Sequence, residues 1–146
     1  MANEPTRPNE NFSAVSATGM TVADPTTKFQ RVLTAAREQF DGVGPDPEII
    51  GAIAIHESGF SGPVGFGILG SRGYRVDADV AAAVADFTAL VSSGRYERAW
   101  AVRGDSEAFL NALCDAGYAG PEGRAWVPKI IWLRDWMMAN PGWRSD

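Results

Sequence analysis

Glu57 closes the stretch Asp46-Pro47-Glu48-Ile49-Ile50-Gly51-Ala52-Ile53-Ala54-Ile55-His56-Glu57-Ser58-Gly59-Phe60, where residue type and spacing speak most directly of chemistry. Asp46 is a good N-cap, and Pro47 takes the first helical position, where a missing N–H costs nothing. From Ile49 to Ile55 there is no polar face, so the pattern predicts a helix buried on every side. Glu57 follows Ile53 by one helical turn and Ile50 by two, so it extends an apolar face. It also falls in the last turn, where the negative end of the helix dipole opposes an anion. Desolvation and dipole both favour the protonated carboxyl. A carboxylic acid held protonated near neutral pH is what general-acid cleavage of a glycosidic bond requires. The plain alternative is a Glu that ends a helix by reaching into solvent, and this segment alone does not separate the two.

Other chemistries fit less well. His56 is the sole histidine, and without a second His four residues on, His-Glu is not a zinc-protease motif. One His and one Cys do not assemble a usual zinc site, so neither a metal nor an organic cofactor is expected. Cys114 repeats at helical spacing with Leu110 and Leu113 and reads as a small core residue; being alone, it forms no internal disulfide.

The 146 residues suit one domain able to bury a real core. Apolar content is 45% and charged content 21%, ordinary for a globular protein. The net charge is −5 and the 13 basic residues form no dense run, which argues against nucleic acid as a partner. No apolar stretch approaches the roughly 20 residues that span a bilayer. Met1-Ala2-Asn3-Glu4-Pro5 shows no basic-then-apolar pattern, so no signal peptide is expected.

Residues 1–23 are polar and rich in Asn, Ser, Thr and Pro, without helical or strand period, and read as an extended arm ahead of a domain at 24–146. A first helix is expected from an Asp24 cap with Pro25 behind it, carrying the stripe Phe29, Val32, Leu33, Ala36 and Phe40. After the Glu57 helix comes a glycine-dense loop, Ser58 to Tyr74, able to bend into a short hairpin or stay irregular. A third helix is expected from the Asp77 region to Val91, and a short helical piece with Tyr96 and Trp100 follows. A fifth helix is capped by Asp105 or Ser106 and stops at Gly117. The last begins near Ala125, with Trp126, Ile130, Leu133 and Met137 on one face and Trp132 and Trp136 on a second. At this spacing the tryptophans read as core first, Trp126 above all. The fold class is mainly α, with the Glu57 helix central and packed against the first and last helices.

Three places, taken in order, resemble the glucosaminidase family (glycoside hydrolase family 73) of the lysozyme-like superfamily, in its bacteriophage type. Pro45 to Gly59 looks like that family's helix ending in Glu-Ser-Gly, whose Glu is the catalytic acid; this implies the role for Glu57. Phe66-Gly67-Ile68 is similar to the Phe-Gly-Ile triplet that lines the cleft. Phe109 to Ile131 resembles the C-terminal block, with Gly117-Tyr118-Ala119 in place of its Gly-Tyr-Ala and Trp126 as the aromatic residue opening the last helix. The resemblance implies a lysozyme-like helical domain acting on peptidoglycan, with Tyr118 as the cleft tyrosine and Phe66 and Gly67 positioning the sugar. Tyr74 is a further candidate for lining a saccharide groove.

Two departures bear on mechanism. Val64 and Leu69 stand where the family usually has Asn and Lys, and Leu69 to Val76 replace a long β-lobe, so this lobe is expected to be reduced or absent. With it goes the usual second acid; Asp77 and Asp79 are the nearest substitutes, although first-turn carboxylates ordinarily cap a helix. A second carboxylate, a single-Glu lytic transglycosylase and assistance by the substrate's own N-acetyl group remain open.

The expected function is therefore cleavage of the GlcNAc–MurNAc glycan by a bacteriophage endolysin or tail-associated protein, located in the virion or released to the cell wall. The rival is a catalytically inactive structural virion protein of the same fold. It would bind other virion proteins through residues 1–23, with Phe12, Val15 and Met20 as apolar anchors.

Overall fold

A computed structural model describes residues 27–70, 73–77, 79–140 and 142–143, the span 68–77 by its backbone. The arm at 1–23, its anchors Phe12, Val15 and Met20, and the Asp24-Pro25 start signal lie outside the described residues. The chain is mainly helical. Its elements run α1 (Lys28–Phe40), α2 (Pro47–Ser58), β1 (Val64–Gly70), β2 (Gly73–Asp77), α3 (Val80–Val91), α4 (Glu97–Ala101), α5 (Ser106–Asp115) and α6 (Trp126–Ala139). Short 3-10 segments at Gly94–Tyr96 and Gly120–Ala125 lead into α4 and α6.

The helix starts follow side-chain capping. Thr27, rather than Asp24, caps α1: it accepts from the Gln30 N–H at 3.2 Å, and Gln30 Oε1 accepts from the Thr27 N–H at 2.9 Å. Thr-x-x-Gln is a capping box, which satisfies two amide donors at once. Asp46 caps α2, Asp79 caps α3 and Asp105 caps α5.

The apolar α2 is central, packed against α1, α6 and β1. Ile49, Ile50, Ile53 and Ala54 are fully buried. Gly51 lets α1 approach, for a Cβ there would lie 2.7 Å from the Phe29 ring. The stripe of α1 is buried as its period predicts, and Trp126, Ile130 and Met137 of α6 close the other side. Phe60, Trp136 and Trp143 make edge-to-face contacts that bind the last residues to the turn after α2.

The glycine-dense loop is a hairpin. β1 and β2 pair antiparallel with Val64 opposite Asp77, Gly65 opposite Val76, Leu69 opposite Tyr74 and Gly70 opposite Gly73. Between these pairs three residues of β1, Phe66 to Ile68, face Arg75 alone, so two extra residues form a bulge. Gly67 sits in it at φ +71°, a conformation glycine adopts without strain.

Lys28 holds the turn that leaves α2. It is almost fully buried, and its Nζ donates to the carbonyls of Ser58, Ser61 and Pro63 at 3.2, 3.2 and 2.9 Å. Burial, reinforced by the nearby Arg31 charge, lowers its pKa to about 8. The unfolded chain then binds this proton more tightly than the folded one, so Lys28's contribution to stability rises as pH climbs from about 8 to about 10.5. Below about 8 both states are protonated and the cost of the buried charge is fully present. Lys28→Met is expected to flatten that rise, as measured by urea unfolding at about pH 7.5 and about pH 10.

Candidate functional site

Glu57 lies at the junction of three elements. The last turn of α2 delivers it, the β1 bulge receives one carboxylate oxygen, and the start of α6 receives the other. Trp126 Nε1 donates to Glu57 Oε2 at 3.1 Å. A Cβ on Gly67 would fall 2.2 Å from Glu57 Oε1, so the carboxylate rests directly on a residue without a side chain. About a quarter of the Glu57 side chain, 23%, meets solvent, so the acid is packed yet reachable. An indole N–H donates and never accepts, so Oε2 is held as an acceptor.

The residues behind this junction form an aromatic train. The Phe66 ring stacks on Phe87 with centroids 4.4 Å apart, and Tyr118 leans edge-on to Phe87 and Tyr96 and tilts over Trp126 at 5.2 Å. Tyr118 is 7% exposed, and its hydroxyl donates to the Phe66 carbonyl at 2.5 Å. Tyr118 and Phe66 thus meet Glu57 through the backbone of the bulge, their rings being interior; Gly67 is the triplet residue that touches the carboxylate.

Tyr74 and Asp77 lie on β2 opposite Leu69 and Val64, and their side chains lie outside the described residues. Asp79 caps α3, accepting from the Ala82 N–H at 3.2 Å. Cys114 packs partly buried against the core, and burial pushes its thiol up to about 11, where the nucleophilic thiolate is scarce at neutral pH. Among the described residues no three His, Cys, Asp or Glu side chains are grouped to hold a metal ion. No described helix is long and apolar enough to cross a membrane.

Sequence reading did not show what surrounds Glu57. Trp126 is core as expected, at 0% exposure, yet its one polar atom is aimed at the acid. His56 Nε2 lies 4.0 Å from Glu57 Oε2 and 3.9 Å from Oε1 of Glu122, which belongs to the 3-10 segment after Tyr118. Lys129 pairs with the other Glu122 oxygen. Its hydrogen bond, ahead of its charge, draws the Glu122 carboxyl below the usual glutamate range. Trp132 is 64% exposed; with His56, Pro128, Lys129 and Leu133 it lines a groove of about 450 Å³ that begins one residue from Glu57.

Trp126→Phe keeps most of the buried ring and deletes the donor. A hydrogen bond to a charged group is worth about 1.5–3 kcal/mol, and an acid in this position gains its charge as it gives up its proton. If Glu57 does the chemistry, kcat is expected to fall about 10- to 100-fold with KM little changed, read in a reducing-end assay. Compared with family models, curated proteins and solved structures, the chain matches none.

Proposed function

We propose that this chain is a peptidoglycan glycosidase of the lysozyme-like, glucosaminidase type with a much reduced β-lobe, in which Glu57 protonates the leaving oxygen of the GlcNAc–MurNAc glycan. One observation carries the reading. A carboxyl group that follows the buried run Ile49–Ile55 has its oxygens divided between an indole donor and a bare glycine backbone, and it stays partly open to water. Departure of the sugar oxygen is eased by transfer of the carboxyl proton to it. The hydrogen bond from Tyr118 holds the bulge against which Oε1 rests. The ordered likeness of Pro45–Gly59, Phe66–Ile68 and Phe109–Ile131 to the glucosaminidase family supports the same substrate, and with it a bacteriophage endolysin or tail-associated setting.

The test is incubation of the purified protein with peptidoglycan, followed by mass spectrometry of the soluble fragments. Fragments with new N-acetylhexosamine reducing ends are expected. Anhydro-sugar ends would assign the chain to the single-Glu lytic transglycosylases instead. Intact glycan would leave the structural virion role in its place.

A further inference from the structure

We propose that Glu122 is the second carboxylate of this site, the base that takes a proton from the water attacking the anomeric carbon while Glu57 protonates the leaving oxygen. The proposal rests on the glycosidase reading above and adds the partner that the reduced hairpin leaves unassigned. Position argues first. Glu122 lies four residues after Tyr118, and past a kink at Gly123 (φ +58°) the chain reaches Trp126, the residue that holds Glu57.

Distance argues second. His56 Nε2 stands 4.0 Å from a Glu57 oxygen and 3.9 Å from a Glu122 oxygen, so the two carboxylates are no more than about 8 Å apart. This bound admits the about 6.5–9.5 Å of inverting pairs, which leave room for a water, as well as the about 5–5.5 Å of retaining ones. The two are also alike in access, at 23% and 28% side-chain exposure.

Their surroundings divide the roles. Lys129 pairs with Glu122 and favours its ionised form, as a proton acceptor requires, whereas the Glu57 oxygens meet an indole, a glycine and, at 4.0 Å, the His56 ring that Glu122 shares. The balance is that of hydrolysis. Water gives its hydroxyl to the anomeric carbon and its proton to Glu122; the bond to the leaving oxygen breaks and that oxygen takes the Glu57 proton. The turnover ends with Glu122 protonated and Glu57 ionised. His56, about 4 Å from an oxygen of each, is placed to return the proton: an imidazole nitrogen can accept from Glu122 and then donate to Glu57 after a ring movement of about 1 Å to reach hydrogen-bond distance.

The experiment compares wild type, Glu57→Gln, Glu122→Gln, Glu122→Ala and Lys129→Met on soluble peptidoglycan fragments, reading product anomers by NMR and rate against pH. Wild type is expected to release the inverted anomer. Glu122→Gln should lose about 100-fold or more in kcat with its melting temperature kept, and the acidic limb of its pH profile should vanish. Azide should restore cleavage by Glu122→Ala. Lys129→Met should move the acidic limb to higher pH, which a merely structural lysine would not do. A cleaving wild type with a dead Glu57→Gln and a Glu122→Gln within about threefold of wild type would overturn the proposal while leaving the glycosidase reading intact. Retained-anomer or anhydro products would overturn it equally, and a wild type inert on peptidoglycan would remove both.

Discussion

Glu57→Gln is expected to reduce glycan cleavage by about 10³-fold or more while leaving the melting temperature within about 2 °C of wild type. The two halves of this expectation come from the same contacts. A glutamine side chain has the shape of the protonated acid, and its carbonyl oxygen accepts from Trp126 Nε1 as Glu57 Oε2 does at 3.1 Å. The packing against Gly67 needs no change of volume. What the amide lacks is a proton to give. Turbidity loss of a cell-wall suspension, paired with a thermal melt, checks both halves. An active glutamine variant would remove Glu57 as the acid.

Gly67→Ala is expected to be nearly as damaging and for a different reason. At φ +71° an added Cβ costs about 1–2 kcal/mol of backbone strain. The Cβ would also stand 2.2 Å from Glu57 Oε1, closer than nonbonded atoms approach, so the carboxylate must leave its seat. Trp126 is fully buried and does not follow it, so the indole hydrogen bond lengthens or breaks. A loss of about 100-fold in kcat is expected, because a misplacement of about 1 Å at a reacting group has that effect. Thermal unfolding should show a drop of several degrees. Wild-type activity in this variant would show that the seat of Glu57 is immaterial to cleavage.

Much of this arrangement was legible in the chain. The unbroken apolar run from Ile49 to Ile55, with an Asp cap and a Pro at the first position, determines α2 by local rules and marks it as central. The stripe of α1 is equally plain. Less local features were not. Thr27 caps α1 through a box with Gln30, a pattern overshadowed by the Asp24-Pro25 signal nearby. A helical period tells which residues share a face but not which face meets water, so Trp132 on α6 gave no sign of its exposure. Trp126 reads as core because it is core; its hydrogen bond to Glu57 depends on how α2 and α6 meet. Glu122, in Pro-Glu-Gly, looks like a turn residue, and its nearness to His56 is a tertiary fact.

The bulge in β1 has a consequence for anyone who would improve this protein. Deleting Phe66 and Gly67 would bring β1 and β2 into unbroken register, with a longer ladder of hydrogen bonds. The tidier hairpin would give up the carbonyl that Tyr118 grips and the glycine on which Glu57 rests. Selection for stability alone would thus favour a shorter, more regular hairpin, and selection for the site would favour the defect.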